Sequence, residues 1–332
     1  MRIDIIRQPL GLTFVLVTAL LVLFWSREGA FLMSVEQISV PTGPLGTWFD
    51  NLISPYGRLR TVLACTALFL TAFQITRIVT RNMVLVVRTY QPALFFILVS
   101  CGFFLPQSSL SIALAAFLVS RGAELMIAGF QRRATYDKFF RAGLVLGLAP
   151  LFFAPAIISF PMLIGGVIFF RRGWRETIVG IAAFALPFAT YSYAGWMSGA
   201  PFDVLLWLMT DALTRNSGFD LWADAGIARL AATALLAVLT VLSIATFTIH
   251  MKQMRTRPRR VLSYFIWVLA LCAGCFFLPC ASPADWTLLA VPVAVIAPNY
   301  FVRYRGIVPA LLYLLLLFEV IGIDIASFFG YS

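Results

Sequence analysis

The chain has 332 residues, of which 61% are hydrophobic and only 12% are charged, and its formal net charge is +11. Soluble domains carry about 25% charged residues, so this composition excludes a water-soluble globular protein. Apolar runs long enough to cross ~30 Å of hydrocarbon recur along the chain without the alternation of barrel strands, which predicts an all-α, polytopic transmembrane helical bundle.

In chain order, these runs predict about eleven membrane spans within a single integral membrane domain, 1–332. The first run follows a basic start, and we expect it to be retained because no small-residue cleavage site follows it. The predicted spans are 9–25, 61–77, 89–105, 108–128, 140–154, 156–170, 177–195, 226–249, 261–279, 285–302 and 306–327.

The basic residues predict the orientation of these spans. If the N-terminus is cytoplasmic, most of the 25 lysines and arginines fall in inner loops, as the positive-inside rule requires. The C-terminus then lies outside, and the expected location is a bacterial inner membrane. The positive net charge is therefore a topology signal, and no nucleic-acid partner is expected.

Two predicted outer loops, 26–60 and 196–225, are longer than a connection requires. Each contains a candidate amphipathic interfacial helix, LGTWFDNLI in the first and PFDVLLWLMTDAL in the second. Arg58 and Arg60 follow the first helix at the membrane edge, and Arg229 begins the eighth span. These arginines are candidates for binding a lipid phosphate. We expect Arg58 and Arg60 to line a cavity walled by the helix of 45–54.

The central segment carries a resemblance. RTYQPALFF (88–96) is followed by a glycine-rich span, a proline-containing bend, a second span and RRGWRETIV (171–179). Over about residues 80–195 this pattern resembles a multispan inner-membrane family of Bacteroidetes, with its RNYLPAL-type and FNWREW-type stretches. It also resembles the helix pattern of GT-C glycosyltransferases. The latter resemblance implies a GT-C-like core and sugar transfer from a polyprenyl-phosphate donor at the outer face.

The GT-C resemblance also implies a catalytic carboxylate. These enzymes carry an acidic residue, often one of a pair, in the first outer loop. The matching loop offers Glu36 and Asp50 as candidate catalytic bases, but no two acids are adjacent there, and the chain has no sizeable outer domain. A GT-C-like fold without transferase activity therefore stays open, as does ordinary solvation of loop charges.

Arg121, Glu124 and Glu319 lie inside predicted spans, where a charge is costly. Arg121 and Glu124 are three apart in FLVSRGAELM and share a helix face, which predicts a pair that braces neighbouring helices. A proton or ion path, or contact with a lipid headgroup, is the alternative. Glu319 lies near the middle of the last span and is expected to face protein or water, with a proton relay as its functional alternative.

Three functions are compatible with this pattern. The first is a GT-C-like transferase, whose expected partner is a donor lipid. The second is a non-enzymatic membrane subunit of a cell-envelope complex for secretion, motility or wall assembly, with other membrane proteins as partners. The third is a lipid or solute transporter, which would normally show an internal repeat that this chain lacks. One histidine and a single CAGC pair predict no metal site, and no cofactor motif is found.

Overall fold

A computed structural model describes residues 10–25, 40–53, 55–102, 110–129, 136–217, 227–304 and 306–328. Over these residues the chain is helical and forms no strand, apart from one isolated bridge between Thr42 and Phe153. The all-α class predicted from the sequence is therefore confirmed.

The described chain forms fourteen α-helices and two short 3₁₀ turns. A 3₁₀ turn, Ala154–Ile158, separates α6 from α7, and a second, Met251–Gln253, follows α10. The helices are α1 (Leu10–Trp25), α2 (Pro44–Ile53), α3 (Gly57–Arg81), α4 (Gln91–Gly102), α5 (Leu110–Gly129), α6 (Tyr136–Phe152), α7 (Ser159–Phe169), α8 (Trp174–Met197), α9 (Val204–Thr214), α10 (Ile227–His250), α11 (Thr256–Cys275), α12 (Asp285–Ile296), α13 (Pro298–Arg303) and α14 (Ile307–Phe328).

Six helical segments of the described chain are long and apolar enough to cross a membrane. They cover α3, α5, α8, most of α10, α11, and α12 with α13. This supports the prediction of a multi-pass membrane protein. Other predicted spans coincide with shorter helices. Helix α4, for example, has 12 residues and is about 18 Å long, which is less than the ~30 Å of hydrocarbon.

The core is centred on α4 and α12. Every residue of α4 is buried, as are all but one of the twelve residues of α12. Helix α4 packs against α1, α3, α12 and α14, so it is covered by helices from both halves of the chain. Its sequence is apolar on all sides, as expected for a helix that is enclosed by protein.

Helices α5, α6 and α8 form a row in which α6 lies in the middle. Small residues allow the close contact of α6 with α8. A Cβ on Gly143 would lie 2.3 Å from the carbonyl oxygen of Gly180, and one on Gly147 would lie 2.3 Å from that of Phe184. Two glycines four residues apart let helix backbones approach closely in a membrane.

The ends of several helices meet at one end of the bundle, which we call the basic end. Lys138 at the start of α6 donates a hydrogen bond to the carbonyl oxygen of Ala128 at the end of α5, and Arg172, just before α8, donates to that of Gly129. Arg257 at the start of α11 donates to Asn82 at the end of α3. The basic residues on these ends are Arg77, Arg81, Lys138, Arg141, Arg171, Arg172, Arg175, Arg255, Arg257, Arg259 and Arg260.

Candidate functional site

Helix α2 lies across the opposite end of α5 and α6. Its approach is fixed by backbone contacts, since the amide of Gly43 donates to the carbonyl oxygen of Phe152 at 2.9 Å. Gly46 packs so closely that a Cβ there would lie 2.2 Å from the same oxygen. A helix is thus present at the predicted 45–54, as α2, with Trp48 and Leu52 exposed. Its place in the outer membrane interface stays a prediction.

This packing brings Asp50 to two polar partners, and we call Asp50, Arg60 and Ser111 the Asp50 site. The Ser111 hydroxyl donates to Asp50 Oδ2 at 2.7 Å. Arg60 Nη2 lies 3.6 Å from Asp50 Oδ1, and the two side chains are 27% and 17% exposed. Asp50 Oδ1 and Arg60 Nε are both buried without a hydrogen-bond partner among the described residues. The ion pair is therefore loose and leaves hydrogen-bonding capacity on both partners.

The other site residues predicted from the sequence at the α2 end of the bundle do not lie together. Arg58 is exposed in the first turn of α3, two residues before Arg60. Arg229 lies near the start of α10, a helix that packs mainly against α12, α13 and α14, and thus on another side of the bundle from α2. Glu36 lies outside the described residues, as does most of the loop that precedes α2. A cavity beside Arg58 and Arg60 therefore stays a prediction.

At the basic end, Glu124 is the centre of a second polar group. Its side chain is only 7% exposed and forms ion pairs with Arg121 on its own helix and with Arg77 on α3, the latter at 3.5 Å. Gln74 Nε2 also lies 3.4 Å from Glu124 Oε2. Arg121 and Glu124 meet as their spacing predicted, and Arg77 and Gln74 tie the pair to the neighbouring helix.

A small cavity adjoins this group. It has a volume of about 70 Å³ and is lined by Glu124 together with Arg81, Asn82, Lys138 and Arg257. We call these five residues the Glu124 cavity. Three of them are cationic and come from three different helices. The sequence predicts that these three cations lie in inner loops or at the ends of spans. It does not indicate that they share one cavity.

The end of α3 explains how Asn82 reaches the Glu124 cavity. Met83 has a left-handed backbone conformation with φ of 48°, and the amide of Val84 donates to the carbonyl oxygen of Val79, which closes the helix. Asn82 Nδ2 donates to the carbonyl oxygen of Ile78 at 2.7 Å, so its Oδ1 is left to accept from Arg257 at 2.6 Å. The Asn82 amide thereby orients the Arg257 guanidinium.

Glu319 lies apart from both groups. It sits on α14, which packs against α10 and α4, and it is partly exposed. Its Oε2 atom is buried without a hydrogen-bond partner among the described residues. The structure therefore places no described base or cation beside it that would continue a proton relay.

The CAGC cysteines are packed in the core. Cys272 Sγ lies 3.6 Å from the carbonyl oxygen of Leu288, and Cys275 Sγ lies 3.8 Å from that of Pro155. Within the described ranges, no three histidine, cysteine or acidic side chains are grouped so as to hold a metal ion. A third cysteine, Cys280, lies in the connection between α11 and α12. Burial and the nearby Asp285 carboxylate raise the pKa of Cys280 to about 11, which keeps its thiol protonated at neutral pH.

Comparison with known proteins adds no assignment, because no protein-family model, curated protein or solved structure matches this chain.

Proposed function

We propose that this chain is a GT-C-like membrane transferase, which moves a sugar from a polyprenyl-phosphate lipid, or a related lipid-phosphate donor, to an acceptor hydroxyl. The spare hydrogen-bonding capacity of Asp50 is the observation that carries the proposal. Asp50 Oδ1 is buried and lacks a hydrogen-bond partner among the described residues, while Arg60 Nη2 is 3.6 Å away, beyond hydrogen-bond distance. An acceptor hydroxyl that binds beside Asp50 can donate to Oδ1.

Such a transfer needs a base for the hydroxyl and positive charge for the leaving phosphate. In the proposed step, Asp50 takes the hydroxyl proton as the acceptor oxygen bonds to the anomeric carbon of the sugar. The bond from that carbon to the phosphate oxygen breaks, and its electron pair stays on the phosphate. Arg58 and Arg60 lie in the first turn of α3, where guanidinium charge and the helix dipole both stabilise an anion.

In this proposal the Asp50 site acts at the outer face of a bacterial inner membrane. The basic end is the opposite end of α5 and α6, and the positive-inside rule assigns it to the cytoplasm. The eleven predicted spans then run from a cytoplasmic N-terminus to an outer C-terminus. The donor would reach the Asp50 site from the outer leaflet, as the GT-C resemblance implies.

Transfer in proteoliposomes tests the proposal. The full chain is reconstituted with synthetic polyprenyl-phosphate sugars and with lipid acceptors extracted from the cells that make it, and movement of labelled sugar is followed. We expect Asp50→Asn to lower the rate by about 100-fold or more. Asp211→Asn is the matched control, because Asp211 also pairs with an arginine, Arg215, at 3.5 Å but lies outside the Asp50 site. Full transfer by the Asp50→Asn variant would contradict the proposal.

A non-enzymatic membrane subunit is the second candidate, and the Ser111 contact favours it. The buried Ser111 hydroxyl holds Asp50 Oδ2 at 2.7 Å, so Asp50 also fastens α2 to α5. If this is its whole role, the wild type transfers no sugar from any donor, Asp50→Asn lowers only the stability, and partner chains copurify in fixed ratio from the native membrane. The two candidates therefore differ in the wild-type reaction itself.

A further inference from the structure

We propose that the Glu124 cavity is a phosphate-binding site at the basic end, in which Arg81, Lys138 and Arg257 hold the anion. The ligand is a phosphate group, either the phosphomonoester headgroup of an anionic lipid or inorganic phosphate. This site is distinct from the Asp50 site, and the inference does not depend on the proposed transferase activity.

The charge balance points to an anion. Among the described residues, Glu124 is the single carboxylate that lines the cavity, and it is already paired with Arg121 and Arg77. Arg81 and Arg257 therefore face a carboxylate whose charge is already matched twice. Lys138, which donates to the carbonyl oxygen of Ala128, adds a third positive charge to the same walls. Like charges that line one small cavity repel one another, and an anion between them reduces that repulsion.

The hydrogen-bonding state of Arg257 supports the same conclusion. Its Nη2 donates to Asn82 Oδ1 at 2.6 Å, while its Nε is buried and has no hydrogen-bond partner among the described residues. A buried donor without an acceptor is costly. Because Asn82 fixes the guanidinium, the remaining donors are held in a planar fork, which is the geometry that matches phosphate oxygens.

The positive potential of the cavity comes from its side chains. Lys138 and Arg257 lie in the first turns of α6 and α11, but α3 and α5 end at the same cavity, so the positive dipole ends of two helices are offset by the negative ends of two others. The acid in the first turn of α6, Asp137, is exposed and pairs with Arg141 rather than lining the cavity. It therefore leaves the positive charge of the cavity walls in place.

The size and position of the cavity fit a phosphate group. Holding one water takes about 10–15 Å³ of such space, so a cavity of about 70 Å³ has room for several waters or for the oxygens of one phosphate. Its neighbours Arg77 and Arg121 are 63% and 42% exposed. The cavity thus lies close to the surface of the basic end, within reach of a headgroup or of a soluble phosphate.

Thermal unfolding of the full chain in nanodiscs tests this site. One arm compares phosphatidylcholine nanodiscs with and without added phosphatidic acid, and the other adds inorganic phosphate, against chloride at equal ionic strength, to phosphatidylcholine nanodiscs. We expect the anion to raise the Tm of the wild type. A rise in the first arm alone identifies a lipid headgroup, and a rise in both identifies a free phosphate as a ligand.

Three variants locate the binding. Arg257→Gln and Lys138→Gln each remove one cation of the cavity and should weaken anion binding by about tenfold. Arg81→Gln should do the same and keeps the test independent of folding, because Arg81 is exposed and makes no hydrogen bond or ion pair that Gln would remove among the described residues. Arg255→Gln is the control, since Arg255 is exposed at the same helix start but does not line the cavity.

Two results would overturn the proposal. In the first, neither phosphatidic acid nor inorganic phosphate raises the Tm of the wild type. In the second, the three cavity variants respond to the anion as strongly as the wild type and Arg255→Gln do. Uniform stabilisation of this kind would mean that the anion acts on the basic surface as a whole.

Discussion

The Asp50 site and the Glu124 cavity lie at opposite ends of α5 and are built from similar groups, yet their charges are balanced differently. Among the residues that the structure describes, Asp50 contacts one arginine and one hydroxyl, and the ion pair is loose. Glu124 has two arginines in ion pairs and three more cations around the adjoining cavity. The first arrangement leaves a carboxylate oxygen with spare capacity, as a base requires. The second leaves spare positive charge, as an anion site requires.

The comparison depends most on Glu124. Replacing it with Ala leaves Arg77 and Arg121 beside a buried position without their counter-charge. Because Arg77 and Arg121 are 63% and 42% exposed and keep part of their hydration, we expect the free energy of unfolding to fall by about 2 kcal/mol, less than when a fully buried pair loses one partner. Denaturant unfolding in detergent measures this loss. If the free energy of unfolding changes by less than about 0.5 kcal/mol, the ion pairs of Glu124 contribute no more than exposed ion pairs do.

The Asp50 site depends on the close contact of α2. A Cβ added at Gly46 meets the Phe152 backbone oxygen, which cannot move aside easily. We expect Gly46→Ala to cost about 2 kcal/mol by overpacking and to loosen the Ser111–Asp50 contact.

Gly195→Ala is the control for this substitution. Gly195 lies in α8, and a Cβ there would meet nothing within 4 Å. The control should be neutral or slightly stabilising, because Ala favours helix more than Gly does. The same denaturant series compares both variants, and equal stability of the two would contradict the packing of α2.

Removal of the Ser111 hydroxyl should have a smaller effect. Ser111→Ala takes one donor from Asp50 Oδ2 and leaves the carboxylate with Arg60, so we expect a loss of about 1 kcal/mol. The Ser111→Cys variant should lose less, because a thiol has a similar shape to the hydroxyl and is a weak donor. Denaturant unfolding ranks the two variants. If Ser111→Ala costs nothing, Asp50 does not fasten α2, and the second candidate function loses its supporting contact.

The smallest expected effect on stability is that of an exposed ion pair. Asp137 and Arg141 form an i, i+4 pair at 2.9 Å, but the side chains are 70% and 66% exposed. We expect Asp137→Asn to change the free energy of unfolding, measured by denaturant unfolding, by no more than about 0.5 kcal/mol. The change should be smaller at high salt, which screens exposed charges. A larger loss would mean that charge at the basic end is coupled more widely than the contacts of Glu124 indicate.

The sequence predicted what local spacing determines. Arg121 and Glu124 meet because residues three apart share a helix face. Helix α2 begins and ends within one residue of the predicted 45–54, since its amphipathic pattern is local too.

The contacts that build the two sites are not local. Ser111 is 61 residues from Asp50, and Arg257 is 175 residues from Asn82. Which spans become neighbours depends on backbone fit, such as the contact of Gly143 and Gly147 with α8, and hydropathy does not encode that fit. The grouping of Arg81, Lys138 and Arg257 therefore could not be predicted from the sequence patterns of the single helices.

The burial of α4 has a consequence for biogenesis. This helix is covered in part by α12, which begins at Asp285, about 190 residues after α4 begins at Gln91. At roughly 5–20 residues per second, translation reaches α12 about 10–40 s after α4 has been made. During that interval α4 has no final neighbour on this side and must be covered by lipid or by the insertion machinery. A chain that ends before α12 would leave this surface open, so we expect such truncated chains to be substrates of membrane quality control.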